Sequence, residues 1–410
     1  TDANGCTDTG NVTITVNTAP NVTATANQTI CIGSTATLTA NGASTYVWSP
    51  VGSLSCSTCA SPVATPNTTT TYTVTGTDAN GCTDTGMVTV TVNQQPTVSA
   101  GSNTSVCDGQ PATLTASGAS TYLWSPAATL SCSTCVSPVA TPTSATTYTL
   151  VGTDANGCMD TATVTVGINS KPNVTATTNK TAVCAGSTAT LTANGATSYT
   201  WVPAGTLSCS TCVSPVATPT AITTYTVTGT DANGCVDTGN VTITVNALPV
   251  VTTNANQTIC NGSSATLTAN GATTYAWTPT GSLSCSTCAS PVATPTTTTT
   301  YTVTGTDANG CINTATTTVN VNAKPTVTAS SNVAICNGAS TTLTAGGATT
   351  YVWTPAGTLS CSTCVSPVVT PTTTTTYTVT GTDGNGCTNT ATVTVTVNNK
   401  PNVTAAGSNV

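Results

Sequence analysis

Apolar and hydroxyl side chains alternate along most of this chain. In Thr71-Tyr72-Thr73-Val74-Thr75 and Thr89-Val90-Thr91-Val92 every second residue is apolar, which puts the apolar set on one face of an extended backbone. A period of two marks half-buried strands, and no stretch sustains the 3.6-residue period of an amphipathic helix. In the first complete stretch of the pattern, strands are predicted over 22–26, 35–40, 45–48, 63–65, 71–77 and 83–92. Asn80-Gly81 lies between the last two and is the pair favoured by type I′ turns, so these strands are expected to form a hairpin.

The pattern repeats. Trp48, Trp124, Trp201, Trp277 and Trp353 are separated by 76, 77, 76 and 76 residues, and Thr-Asp-Ala-Asn-Gly-Cys recurs with its cysteine at 6, 82, 158, 235 and 311, then as Thr-Asp-Gly-Asn-Gly-Cys at Cys387. The one length change falls between Cys158 and Cys184, in a connector. Connectors such as Asn17-Thr18-Ala19-Pro20 and Asn169-Ser170-Lys171-Pro172 are short and end in proline, which fixes φ and removes a ladder donor, so each marks a boundary without adding a floppy tether. The expected organisation is a terminal strand of a preceding repeat over 1–17, five repeats over 20–93, 96–169, 172–246, 249–322 and 325–398, and the first strand of a following repeat over 401–410.

About seven short strands per repeat, with one inward Trp and one late Tyr, give the pattern of an immunoglobulin-like sandwich. The expected fold is all-β, a linear array of Ig-like antiparallel β-sandwich domains. Tyr46-Val47-Trp48-Ser49-Pro50, Leu54-Ser55-Cys56-Ser57-Thr58-Cys59, Pro62-Val63-Ala64-Thr65-Pro66 and the run from Thr71 to Cys82 resemble the Ig-like and PKD-like repeats of large secreted surface proteins of Bacteroidota. The Trp-Asp-Phe-Gly-Asp-Gly signature of PKD domains does not follow Trp48, which leaves the broader Ig-like resemblance. It implies a surface location, and its members serve as adhesins, stalks and fibres alike.

Composition narrows the chemistry. The chain has 410 residues, 4 cations, all Lys, 11 anions, all Asp, and no His, Glu, Arg or Phe. The usual general base, the His ligands of catalytic zinc and the bidentate phosphate fork are therefore missing. A net charge of −7 removes the cationic footprint of a nucleic-acid binder. No run reaches the length of a membrane span, and no recurrent acid–base pair accompanies a nucleophile, so neither an enzyme nor a cofactor is expected.

Twenty-one cysteines argue for an oxidising compartment. Cys56/Cys59, Cys132/Cys135, Cys209/Cys212, Cys285/Cys288 and Cys361/Cys364 are spaced for local disulfides that pin a loop; a thioredoxin-like role would need a βαβ setting, and a zinc site would have to recruit Cys31 and Cys82. The other cysteines, Cys31, Cys82, Cys107, Cys158, Cys184, Cys235, Cys260, Cys311, Cys336 and Cys387, are expected in long-range pairs. In a simple Ig topology Cys31 and Cys82 lie at opposite ends of a domain, roughly 20 Å apart. Either the first strand is rearranged to join them, or Cys31 pairs with Cys158 and links neighbouring repeats. In both cases Cys6 lacks a partner.

Asp78, Asn80 and Asp84 recur in the next two repeats and form an oxygen-rich hairpin tip that is a weak Ca²⁺ candidate, set against ordinary turn chemistry; the second acid becomes Asn313 and Asn389 in the last two. The four Lys share no core position, which removes Lys–Asn isopeptide crosslinks, and a 76-residue sandwich lacks the short flat coils of Thr-rich ice-binding surfaces. Trp48, Tyr46 and Tyr72 are expected in the core rather than on a sugar-stacking face.

The 111 threonines are the remaining excess. Runs beside proline, with Thr68, Thr69, Thr70, Thr296, Thr297, Thr298, Thr372, Thr373 and Thr374 as candidates, have the composition of O-glycosylated segments, and sequons at Asn21, Asn67, Asn173, Asn179 and Asn240 permit N-linked sugar. The competing reading is unmodified Thr selected for strand propensity. The expected function is an extracellular structural rod or filament, disulfide-stapled and O-glycosylated. Its partners would be covalent glycans and copies of itself, through self-association or head-to-tail continuation in a fibre. The rival is the stalk of a bacterial surface adhesin whose binding domain lies elsewhere.

Overall fold

A computed structural model describes residues 1–404, and all regular structure among them is β. The first repeat contains β1 (Thr23–Ala24), β2 (Gln28–Cys31), β3 (Ala36–Thr37), β4 (Ala40–Asn41), β5 (Thr45–Ser49), β6 (Val63–Ala64), β7 (Thr70–Thr77) and β8 (Thr83–Asn93). One layer is a four-stranded sheet in the order β2-β8-β7-β5; the facing layer consists of the pairs β1–β4 and β3–β6. β7 and β8 pair antiparallel from Thr70↔Val90 to Thr77↔Thr83, and β5 adds antiparallel to β7.

The alternation seen in the sequence sorts residues onto faces. Tyr72, Val74, Val88 and Val90 point between the layers with Leu38 and Trp48, and all are buried. The intervening threonines face out, where Thr71 and Thr89 meet across the strands with their hydroxyls 2.9 Å apart. Trp48 Nε1 donates to the Cys59 carbonyl at 3.0 Å, so the core ring also anchors the loop that carries the Cys-x-x-Cys pair.

This plan recurs. The second repeat builds its four-stranded sheet from Thr104–Cys107, Met159–Asn169, Thr146–Thr153 and Thr121–Ser125, and the fourth and fifth do the same around Trp277 and Trp353. By contact the chain divides into two compact units. One is Thr1–Thr175 with Ala193–Thr200 and Val227–Gly239; the other is Ala176–Thr192 with Trp201–Thr226 and Asn240–Val410. The first holds the first two repeats whole and the second holds the fourth and fifth. The chain is thus all-β, built from tandem two-layered β-sandwich repeats.

Four expectations need correction. First, Gln28–Cys31 forms a strand that the sequence pattern had not marked, and it runs parallel to β8, Gln28↔Val90 to Cys31↔Asn93, so the sandwich is not purely antiparallel. Second, the expected strand over 35–40 divides into β3 and β4, because Leu38 and Ala40 donate instead to the carbonyls of Pro62 and Ala60. Third, the hairpin loop is wider than a two-residue turn. Its last ladder pair is Thr77↔Thr83, Asp78 Oδ1 accepts the N–H groups of Asn80 and Cys82, and only Gly81 has positive φ, whereas a type I′ turn needs it at both central residues.

Fourth, residues 1–17 form no strand. Val12, Ile14 and Val16 there are more than 80 % exposed. Residues 401–404 likewise carry no strand, and the remainder of the expected 401–410 strand lies outside the described residues.

One glycine is dictated by the packing of the entry segment. Gly42 has φ 95°, and a Cβ there would sit 1.9 Å from the Asn21 carbonyl oxygen; Gly118, Gly195, Gly271 and Gly347 are in the same position.

Candidate functional site

The cysteines define the most distinctive geometry of the chain. Cys31 is the last residue of β2 and pairs in register with Asn93, the last residue of β8, so it stands where the repeat ends and the connector begins. The next residue holds it there, since Ile32 N–H donates to the Asn93 carbonyl at 2.9 Å. Cys82 lies at the other end of β8, beyond the hairpin loop. The parallel β2 therefore keeps the two cysteines of one repeat a strand length apart.

The structure joins Cys31 to Cys158, Cys107 to Cys235, Cys184 to Cys311 and Cys260 to Cys387, each with a Cα–Cα distance of 5.5 Å and separations of 127, 128, 127 and 127 residues. Every one links the β2-type strand end of one repeat to the hairpin loop of the next. The hairpin cysteine is presented by its own loop: Asp154 Oδ1 accepts the Cys158 N–H at 2.8 Å, and Asp231, Asp307 and Asp383 do the same for Cys235, Cys311 and Cys387. These four bonded cysteines are fully buried. A cleft of about 370 Å³ is lined by Cys107, Gln110, Lys171, Gly234 and Val236.

Cys82 and Cys336 do not find the long-range partners expected of them, and Cys6 is also unpaired.

Among the local pairs, Cys56–Cys59, Cys132–Cys135, Cys209–Cys212 and Cys361–Cys364 are bonded. The expected Cys285–Cys288 bond is absent, and the two remain hydrogen-bonded thiols, with Cys288 N–H donating to Cys285 Sγ at 3.0 Å. The hydrogen bond from the Cys288 side chain, and then the Thr287 backbone, hold the Cys285 thiol below its usual value, while the same contact raises Cys288. No Cys-x-x-Cys pair meets Cys31 or Cys82, and among the described residues no cluster of three His, Cys, Asp or Glu could hold a metal.

The hairpin carboxylates are occupied with the backbone. Asp78 Oδ1 caps its own loop, and Asp84 Oδ2 accepts the Val22 N–H at 2.9 Å, clasping β8 to the entry of the repeat. That bond, followed by one from Thr85, holds the Asp84 carboxyl below the ordinary aspartate range. In the fourth and fifth repeats Asn313 and Asn389 make the clasp in the opposite sense, each donating Nδ2 to the connector proline carbonyl, Pro249 or Pro325, at 3.0 Å. Asp78, Asn80 and Asp84 thus act as turn and clasp residues, which explains why amide can replace acid at the third.

The candidate glycosylation threonines differ in hydroxyl use. Thr68 and Thr69 are exposed and Thr70 is half-buried. Thr70 Oγ1 donates to the Thr68 carbonyl, and Thr69 Oγ1 accepts the Val92 N–H. In the later repeats Thr298 and Thr374 accept from Val321 and Val397 in the same way, while Thr296, Thr297, Thr372 and Thr373 are exposed on the preceding turn. Asn21, Asn67, Asn173, Asn179 and Asn240 are also exposed, although Asn179 Oδ1 is taken by the Thr190 N–H. Trp48 and Tyr72 are buried and Tyr46 half-buried, its hydroxyl bonded to the Ala43 backbone, so these rings form no sugar-stacking face.

No family model and no curated protein matches the chain. Among solved structures it is similar to an adhesin described as helping an Antarctic bacterium reach out and bind ice, at 16 % identity over 74 % of this chain and 100 % of that one, with a TM-score of 0.31. It is similar to the protocadherin γB4 extracellular domain at 13 % identity, covering 92 % and 84 %, TM-score 0.26. Sidekick-1 immunoglobulin domains 1–5 match at 12 % identity, covering 93 % and 98 %, TM-score 0.21.

Proposed function

We propose that the chain is an extracellular structural protein: a stiff rod or filament of tandem Ig-like domains, stapled by disulfides, coated with O-linked sugar and exposed at a bacterial cell surface. The observation that carries this reading is the set of four disulfides, each tying a strand end of one repeat to the hairpin of the next in the same register. A peptide connector alone leaves neighbouring domains free to swing, whereas a second covalent link beside it restricts that motion. Such bonds persist only where the surroundings are oxidising. Near-identical repeats suit a uniform mechanical element, and a surface almost without charge requires another source of solubility, which a glycan coat on exposed Thr would supply.

Small-angle scattering of the purified chain before and after reduction tests the mechanical claim. The oxidised chain is expected to scatter as a rod whose longest dimension contracts, and whose profile broadens to that of a flexible string, once the disulfides are reduced and alkylated. Identical profiles in both states would overturn stiffening by these bonds.

A further inference from the structure

The four inter-repeat disulfides each span 127 or 128 residues, while the repeat period is 76 or 77. Because each span exceeds the period, consecutive spans overlap: Cys31–Cys158 with Cys107–Cys235, that with Cys184–Cys311, and that with Cys260–Cys387. We infer that this stagger makes the chain proof against single cuts: any one peptide bond between Cys31 and Cys387 can be hydrolysed and the protein remains one covalent molecule. Every such bond lies inside at least one disulfide-closed loop.

The connectivity gives a stronger result. After two cuts in this region the N-terminal piece and the C-terminal piece are still joined, directly or through the middle piece. A cut set that parts the two ends without crossing a disulfide must cross the chain an odd number of times, and a single crossing is always bridged. Three cuts in particular places are needed, for example one between Cys31 and Cys107, one between Cys107 and Cys158, and one between Cys158 and Cys184. Intradomain pairing, Cys31 with Cys82 and so on, would leave every connector unbridged, and one cut there would sever the chain. The stagger therefore supplies what a long extracellular element exposed to proteases needs, continuity after damage, from the same bonds that join its domains.

The sequence offers a clean test. Trypsin has four lysines and no arginine to act on, and Lys171, Lys324 and Lys400 each precede proline, whose ring blocks cleavage. Only Lys180–Thr181 remains, in an exposed segment between Thr175–Thr178 and Ala182–Cys184. That bond lies inside the Cys107–Cys235 span alone. The whole oxidised chain, with free thiols alkylated to prevent exchange, is digested in urea so that cutting goes to completion. On a denaturing gel it is expected to run as one full-length species without reductant and as two fragments, 1–180 and 181–410, with reductant.

Two fragments without reductant would overturn the inference. Cys107→Ser should part into the two fragments without reductant; a single species there would show that a different bond holds the pieces and would overturn the assignment. Ala60→Lys adds a second site in an exposed loop, and the doubly cut chain should still migrate as one species until reduced. The gel reads covalent connectivity alone, so its failure is distinct from failure of the proposed rod, which scattering reads.

Discussion

Thr317 shows how finely the outward and inward positions are set. It occupies the core position filled by Val88 in the first repeat and Val393 in the fifth, and it is 1 % exposed with a hydroxyl that has no hydrogen-bond partner. An unsatisfied buried hydroxyl costs about 1–3 kcal/mol, and Val has nearly the same shape. Thr317→Val is therefore expected to stabilise the fourth repeat by about 1–2 kcal/mol. Hydrogen-exchange mass spectrometry should show slower exchange in peptides from 249–322, with the other repeats unchanged; faster exchange would refute the assignment.

At the scale of elements, one side chain clasps the hairpin to the entry segment beside their shared core packing. Asp84 accepts from Val22, and its carboxyl is held low by that N–H and then by Thr85. A carboxyl whose folded pKa is depressed gives stability that is present above its unfolded pKa and is lost as pH falls through the folded value. The clasp should thus hold at neutral pH and release on the acid side, below the ordinary aspartate range. An NMR titration of the Asp84 carboxyl carbon should place its midpoint below the ordinary aspartate range, and a midpoint inside that range would refute the clasp. Asp84→Asn should keep the fold at neutral pH and lose this acid limb, because the amide does not titrate and Asn313 already serves the same junction by donating to Pro249.

The turn and β2 are also where local reading was incomplete. Asn80-Gly81 marked the hairpin correctly but not its width, because the loop is shaped by Asp78, which satisfies two backbone donors with one carboxylate oxygen. Gln28-Thr29-Ile30-Cys31 places two polar residues before two apolar ones, so period-two alternation does not mark it as a strand, and its parallel pairing to β8 follows from how the chain crosses between layers.

For the whole molecule, the glycan proposal is decided by which hydroxyls are accessible. Thr69, Thr298 and Thr374 accept ladder N–H groups, whereas the exposed turn residues Thr68, Thr297 and Thr373 bring only their carbonyls into the neighbouring Thr hydroxyl bond. Mass spectrometry of material from its native source should find hexose-type additions concentrated at Thr68, Thr296, Thr297, Thr372 and Thr373. Unmodified peptides covering all five would sink the sugar coat and return the threonines to strand propensity alone.

By itself the sequence determined the repeat, the strand period, the buried Trp and Tyr and the position of the hairpin. Each of these follows from residues within a few positions of one another, or from copies of the same short pattern, and needs no knowledge of the third dimension. It left the partner of Cys31 open between Cys82 and Cys158. Only the tertiary structure decided that, because a disulfide forms where two Cα atoms come within reach, and the parallel strand ending at Cys31 carries it to the junction and away from its own hairpin.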